Sequence, residues 1–234
     1  GLPCDADTTS VALYALGQLG RPVDPASLLA FRVDGHFCTW QGEDGFSVTT
    51  NAHVLEALGA HLATAADHRF QPLVEPLTDW LAGHQQPDGQ WQDRWHASPY
   101  YATACSVSAL DRYGRGGAVP AAVGRAVRWV LDSQRPDGSW GRWSGTVEET
   151  AYALQVLLGT ERTAGVPDDT VAGAAVRGYR FLRSSAGRLP DPPLWHDKDL
   201  YLPGAIVRGA CLAAVHLVQR RLSVTKIRNL IVNE

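Results

Sequence analysis

The 234-residue sequence predicts an all-α protein in which an inner and an outer ring of antiparallel helices pack together. Apolar residues recur at helical spacing through most of the chain, whereas the strict alternation typical of a half-buried strand does not occur at any length. Helices that are apolar almost all round alternate with amphipathic helices, which favours the inner ring for the first kind and the outer ring for the second. A turn sequence also repeats at a fixed interval, as in stacked helix pairs.

The first helix is expected to begin within the segment Asp5-Ala6-Asp7-Thr8-Thr9. The apolar pattern that follows puts Asp5 near the N-cap and Asp7 in the first turn. Free N–H groups and the helix dipole stabilise a carboxylate there, so either aspartate can simply be a cap. Two carboxylates one residue apart repel, however, and a chain tolerates them when one stays protonated or a donor compensates. The segment therefore also predicts a general acid.

The remaining helices continue the alternation, and a loop rich in glycine and aromatic residues separates the second from the third. With the first helix, the pattern gives five apolar and four amphipathic helices. After the first, the predicted ranges are Pro25–Val33, Ser47–Gly59, Phe70–His84, Tyr101–Tyr113, Val119–Asp132, Thr146–Thr160, Asp168–Ser184 and Gly204–Arg221.

Two turns share the pattern Gln-x-Pro-Asp-Gly-x-Trp, one in Gln85–Trp91 and one in Gln134–Trp140. Their tryptophans lie 49 positions apart, a period that points to stacked helix-pair units. Proline and glycine end one helix and turn the chain, glutamine can hydrogen-bond the next helix start, and tryptophan packs across the turn. These residues are therefore predicted to be structural.

Composition excludes several classes of protein. The net charge of −3 with no basic run disfavours binding to nucleic acid or to an anionic membrane, and no apolar segment is long enough to span a bilayer. The four cysteines are widely spaced, which predicts a reduced, cytoplasmic protein. The 234 residues, with 45% hydrophobic content, are interpreted as a single helical domain spanning positions 1–234. The absence of methionine suggests a piece of a longer protein.

The aspartate segment resembles the Asp-x-Asp-Asp motif of class II terpene cyclases, in the Asp-x-Asp-Thr-Thr form of bacterial diterpene cyclases of the copalyl diphosphate synthase type. The turns resemble the QW motifs of the same family, which carry an α/α toroid. Thr8 stands where squalene–hopene cyclases have a further aspartate, which favours the diterpene branch. The resemblance implies that Asp7 is the catalytic acid, assisted by Asp5 and Thr8. It also implies a toroid that lacks about three helices here and a second (γ) helical domain absent from this chain, so the chain alone is expected to be inactive.

The segment around Asn51 is similar to the family's Thr-x-Asn-Ala-His-Val-Leu sequence. An asparagine at the start of a helix can merely cap a loop. The resemblance implies instead that Asn51 hydrogen-bonds Asp7 and stabilises the carboxylate left after proton donation. His53, two residues further on, is expected on another face of the helix as a packing residue.

Aromatic residues at the starts of later inner helices resemble family segments that line the substrate cavity, although the same residues can belong to the core. Cation–π attraction makes such rings suitable neighbours for a carbocation. The residues expected to contact substrate are Thr9, Trp40, Trp95, Tyr101, Tyr152 and Trp195. Glu148 is interpreted as a complement to the helix dipole, whereas Glu149 is expected to face the cavity. His196, Asp197 and Asp199 flank a lysine and predict an ion-paired loop, so no metal ligand is assigned to the chain.

The implied reaction is protonation of geranylgeranyl diphosphate and its cyclisation to a copalyl-type bicyclic diphosphate, with the diphosphate retained. Magnesium is expected to accompany the diphosphate in the whole enzyme without being bound by this chain. Three alternatives stay open: another class II prenyl diphosphate or triterpene cyclase, a protein prenyltransferase β subunit, and a non-catalytic toroid that binds a partner. The second needs an Asp, Cys and His zinc set, for which Cys38, Cys105 and Cys211 lack an accompanying pattern.

Overall fold

The computed structural model describes residues 3–65, 67–161, 165–185, 191–196 and 199–222. Within these ranges the chain forms eight α-helices, one 3₁₀ helix and four two-residue strands. The helices are α1 (Ala6–Gln18), the 3₁₀ helix (Pro25–Phe31), α2 (Val48–Thr64), α3 (Gln71–Gly83), α4 (Pro99–Tyr113), α5 (Ala118–Asp132), α6 (Val147–Gly159), α7 (Asp168–Ser184) and α8 (Gly204–Arg221). The strands are β1 (Arg32–Val33), β2 (His36–Phe37), β3 (Trp195–His196) and β4 (Leu200–Tyr201), paired antiparallel as β1–β2 and β3–β4. In the part of the chain so described, no helix has the length and apolarity needed to cross a membrane.

The residues fall into two compact units, to both of which α4 and α5 contribute. The first unit comprises residues up to 86 together with 105–123. Here α2 packs against α1 on one side and α3 on another, and the 3₁₀ helix packs against both α1 and α2. Of the 17 residues of α2, 11 are buried, which confirms the apolar, inner type of helix predicted for this segment.

The second unit comprises residues 87–104 and those from 124 onwards. Its centre is α6, which packs against α7 and α8. Ten of the 13 residues of α6 are buried, including both glutamates of its first turn. The fully buried Trp91 and Trp140 add the largest side chains to the core of this unit.

The two repeated turns are structural, as predicted, and their contacts match from one copy to the next, but each glutamine binds the helix after the next one and not the next helix start. The Nε2 of Gln85 donates to the carbonyl of Ala122 in α5, and that of Gln134 donates to the carbonyl of Ala174 in α7. Each glutamine thus binds the first half of the following amphipathic helix.

The glycine of each turn has a positive φ, 106° at Gly89 and 84° at Gly138. A Cβ at these positions would lie 2.6 Å from the carbonyl oxygen of Arg125 and 2.8 Å from that of Arg177, respectively. Glycine is therefore required twice over, by conformation and by the close approach of a helix backbone.

Three local predictions were wrong. The helix predicted for Pro25–Val33 is a 3₁₀ helix that ends at Phe31, and short strands occur where none was expected. Gly59 does not end α2, which continues to Thr64. The reason lies in a tertiary contact, because a Cβ at Gly59 would overlap the side chain of Tyr113 in α4. This glycine therefore allows α2 and α4 to approach closely, and it does not act as a helix cap.

Candidate active site

The first carboxylate of the aspartate segment is the cap of α1. Asp5 is the N-cap residue, and its Oδ1 accepts a hydrogen bond from the backbone N–H of Thr8 at 2.6 Å. The helix start is also held by the N–H of Ala6, which donates to the carbonyl of Thr39 at 2.9 Å. Since Asp5 satisfies the helix start, the carboxylate of Asp7 remains available for another role.

Asp7 contacts α2, and its partner there is a histidine. The Nδ1 of His53 lies 2.8 Å from Oδ1 of Asp7, and the hydroxyl of Thr50 hydrogen-bonds the same carboxylate. Thr50 and His53 are three residues apart and therefore share one face of α2. The side chain of Asp7 is 35% exposed and that of His53 only 12%. The site is thus a half-buried carboxylate held from the protein side by a hydroxyl and an imidazole.

This contact perturbs both pKa values. Burial by itself raises the pKa of Asp7, but the hydrogen bond and charge of His53, with the Thr50 hydroxyl, outweigh it and leave the pKa below its usual 3.8. Burial by itself lowers the pKa of His53, but charge and hydrogen bonding at Cys105 and Asp7 hold it well above 6.5. The two groups therefore form an ion pair near neutral pH.

Cys105 of α4 is the third member of this chain of contacts. Its thiol hydrogen-bonds His53, so the imidazole lies between a carboxylate and a thiol. Burial raises the pKa of the thiol, which His53 only partly offsets. The imidazole of His53 is therefore held from both sides, by the sulfur of Cys105 and by the carboxylate of Asp7.

The predicted contact between Asn51 and Asp7 does not form. Both amide hydrogens of Asn51 are used elsewhere, donating to the carbonyls of Phe37 at 2.9 Å and Ser47 at 2.8 Å, and its Oδ1 accepts the N–H of Phe37 at 2.8 Å. Asn51 is fully buried and ties β2 to the start of α2. The side chains of Asn51 and His53 do lie on different faces of α2, as predicted. It is His53, however, that contacts Asp7, so the interpretation of His53 as a packing residue was wrong.

The second unit contains a cluster of three of the aromatic residues predicted to contact substrate. The ring of Tyr101 lies 4.7 Å from that of Trp195 and 5.2 Å from that of Tyr152. The imidazole of His96 adjoins them, 5.0 Å from Tyr101 and 5.1 Å from Trp195. We call these four side chains the aromatic cluster. Trp195 is 8% exposed and Tyr152 5%, so the cluster is largely buried.

Backbone pairing brings the cluster together. The N–H of His196 donates to the carbonyl of Trp95 at 2.9 Å, and the N–H of Ala97 donates to the carbonyl of Leu194 at 2.7 Å. This short antiparallel contact sets His96 opposite Trp195. Residues about a hundred positions apart in the sequence thereby meet at the start of α4.

The other predicted contact residues lie elsewhere. Trp40 is 36% exposed and belongs to the loop after β2. Trp95 is half-buried and stacks under the guanidinium of Arg94, 4.6 Å from the ring centroid. Thr8 is exposed and Thr9 half-buried on the first turns of α1.

The paired glutamates of α6 exchange the positions expected for them. Glu149 belongs to the cap of α6: the hydroxyl of Thr146 donates to its Oε2 at 2.7 Å, and its Oε1 accepts the N–H of Arg142 at 2.8 Å. Glu148 instead reaches the aromatic cluster, where its Oε1 accepts a 2.7 Å hydrogen bond from Nε1 of Trp195. The expectation that Glu149 faces the cavity and Glu148 complements the dipole was therefore wrong.

A search of the described residues finds no group of three or more His, Cys, Asp or Glu side chains placed to hold a metal ion. His196 is exposed, and Asp197 lies outside the described residues. No chemical step below depends on a metal ion held by the described part of the chain.

Comparison with known proteins places this geometry in a family. The profile of the squalene–hopene cyclase C-terminal domain matches residues 43–168. The chain is 47% identical to an ent-copalyl diphosphate synthase of Streptomyces sp. KO-3988, with 94% of this chain and 42% of that protein covered. It is 46% identical to labda-7,13-dienyl diphosphate synthase of Streptomyces clavuligerus, over 95% of this chain and 40% of that protein.

A solved structure gives the same result. The ent-copalyl diphosphate synthase of Streptomyces platensis superposes with a TM-score of 0.87 at 50% identity, over 93% of this chain and 42% of that one. The chain therefore belongs to the class II terpene cyclases, in the branch of the bacterial copalyl diphosphate synthases. The predicted fold class, an all-α structure of the terpene cyclase toroid type, is confirmed. The chain spans about two fifths of the length of the relatives it matches.

Proposed function

We propose that the protein containing this chain is a class II diterpene cyclase that converts geranylgeranyl diphosphate to a copalyl-type bicyclic diphosphate. The observation that carries the proposal is the Asp7–His53 contact of 2.8 Å at the start of α1. The names of the related synthases support the product class, and their greater length supports a further helical domain in the complete protein. Magnesium would enter with the diphosphate of the substrate.

Asp7 is the proton donor of this reaction in its protonated form, which its 35% exposed carboxylate regains from solvent before each turnover. An alkene is a weak base, so the acid must be strong, and the surroundings of Asp7 that lower its pKa make its protonated form a stronger acid. When the O–H bond breaks, the proton adds to the terminal alkene and a tertiary carbocation forms at the neighbouring carbon. His53 and Thr50 are in place to stabilise the carboxylate that remains, before any reorganisation.

Successive alkenes then attack the carbocation, closing two rings, and loss of a proton ends the cascade with the diphosphate intact. Trp40, Trp95, Tyr101, Tyr152 and Trp195 are proposed to contact the hydrocarbon chain, whose positive charge their ring faces stabilise. Excluding water from this space prevents early capture of the cation.

The remaining predicted residues support the acid from outside the reaction. Asp5 positions it by capping α1 and Asn51 by fixing β2 on α2, while Thr8 supplies the N–H for the cap. Thr9 stays a proposed substrate contact.

The test is product analysis of the full-length protein with geranylgeranyl diphosphate and magnesium, by mass spectrometry after phosphatase treatment. We expect the parent protein to give a bicyclic alcohol. Asp7→Asn keeps the size of the side chain but removes the acid, so product formation should fall at least about 100-fold. Asp88→Asn, in the exposed turn before Trp91, is the matched control and should retain the parent rate. Unchanged substrate with the parent, or full activity in Asp7→Asn, contradicts the proposal.

A further inference from the structure

A buried carboxylate of the second unit has no part in the chemistry described so far. Glu148 is 0% exposed, and its Oε1 accepts three hydrogen bonds. The donors are Nε1 of Trp195 at 2.7 Å, Nε2 of His96 at 3.2 Å and the hydroxyl of Tyr152 at 3.3 Å. Such convergence on one oxygen in the interior requires an explanation, because burial of a carboxylate is costly.

The start of α6 does not supply that explanation. The backbone N–H groups of Val147 and Glu148 donate to Oδ2 of Asp191 at 2.6 and 3.0 Å. Thr146 and Glu149 complete the cap from the other side. The helix start is thus satisfied without the side chain of Glu148.

The contacts of Oε1 define its role in the site. The Nδ1 of His96 lies 3.1 Å from both the N–H and the carbonyl oxygen of Ser98, and its Nε2 lies 3.2 Å from Oε1 of Glu148. The indole of Trp195 can only donate. Oε1 is therefore an acceptor, and a proton on Oε2 would be a buried donor without an acceptor. The geometry is thus that of a carboxylate whose Oε1 accepts hydrogen bonds.

The second oxygen of this carboxylate is unused. Oε2 of Glu148 is buried and has no hydrogen-bond partner among the described residues. An unpaired carboxylate oxygen in the interior marks a place for a ligand or a proton. The ring of Tyr101, with its centroid 4.7 Å from that of Trp195 and 5.2 Å from that of Tyr152, and these two rings add the negative faces that attract a cation.

We propose that Glu148 is the base that ends the carbocation cascade, an inference that rests on the proposed function. A C–H bond next to the cationic carbon breaks, its electron pair forms the product alkene, and the proton passes to Oε2. Trp195, His96 and Tyr152 hold the carboxylate in place through Oε1. Water takes the proton from Glu148 between turnovers, which restores the base.

The test is the product distribution of Glu148→Gln in the full-length protein, incubated with geranylgeranyl diphosphate and magnesium in D₂O. Glutamine preserves the shape but lacks the negative charge. We expect the variant still to deuterate and consume substrate, while the ratio of the parent's alkene to hydroxylated and isomeric products falls at least about 10-fold. Glu149→Gln is the matched control, since it makes the same change at the neighbouring carboxylate, which contacts Thr146 and Arg142, and it should keep the parent ratio.

The outcomes separate the two proposals. If the parent protein leaves the substrate unchanged, the proposed function fails. If the parent protein cyclises the substrate and Glu148→Gln gives the same product ratio, only the role of Glu148 is overturned. The same conclusion follows if Glu148→Gln folds but incorporates no deuterium into its products. If circular dichroism shows that Glu148→Gln does not fold, the same measurement is made on Glu148→Asp. This variant keeps the carboxylate but shortens the side chain by one methylene group, which moves the carboxylate away from the substrate. We then expect a fall in the same ratio, and an unchanged ratio overturns the inference.

Discussion

Truncation of Trp140 should destabilise the protein far more than truncation of Trp143, three residues away in the same turn. Trp140 is 0% exposed, donates from Nε1 to the carbonyl of Val130 at 2.7 Å and packs on Gly178 of α7. A buried tryptophan removes about 150–250 Å² from water, worth about 4–6 kcal/mol at about 25 cal/mol per Å². Trp143 is 61% exposed, with Arg142 stacked 4.9 Å from its ring.

We therefore expect Trp140→Ala to lower the free energy of unfolding by about 3–5 kcal/mol and Trp143→Ala by no more than about 0.5 kcal/mol. The measurement is urea denaturation of the full-length protein, followed by circular dichroism so that loss of a tryptophan does not alter the signal. The carbonyl of Val130 keeps a hydrogen bond from Ser133 in the variant, so the loss is chiefly one of packing. Equal costs at the two positions, or a cost below about 1 kcal/mol at Trp140, would refute this reasoning.

Two further predictions concern the acid pair and the repeated turn. Because the pKa of Asp7 is lowered from 3.8 and that of His53 is raised above 6.5, their mutual stabilisation is fully present between about pH 4 and 6.5. This stabilisation is lost as pH falls through the folded-state pKa of Asp7 or rises through that of His53. The difference in unfolding free energy between the parent and Asp7→Asn should therefore be largest between these limits. A difference that does not change with pH contradicts the ion pair. Gly138→Ala should cost about 1–3 kcal/mol, because its φ is 84° and a Cβ would meet the carbonyl oxygen of Arg177. Gly173→Ala, inside α7, should be neutral or stabilising in the same urea titration, and similar losses in both variants would argue against the clash.

The sequence determined the helices because their apolar periodicity depends on neighbouring residues alone. It also identified the cap of α1 and the function of the repeated turns, which are local chemistry. It failed at Gly59, where a partner over fifty positions away decides the conformation. Short strand pairs such as β3–β4 were missed because two residues carry no recognisable alternation.

The candidate site shows the same division. The sequence identified Asp7, but periodicity gives only the angle between side chains on a helix and not which of them faces a distant partner. It therefore assigned the contact to Asn51 in place of His53, although Thr50, three residues before His53, shares that face. The interchange of Glu148 and Glu149 has the same cause, since Trp195 lies on a remote segment.

The side-chain amide groups of the glutamines in the repeated turns donate to carbonyl groups of the following helices. The acceptors, on Ala122 and Ala174, belong to the peptide backbone and exist whatever residue occupies those positions. These two hydrogen bonds therefore tolerate a change of residue at either alanine position. A helix pair transplanted from a relative would keep this contact if it brought its own turn and met a regular helix, while the packing of Trp140 on Gly178 would still have to match.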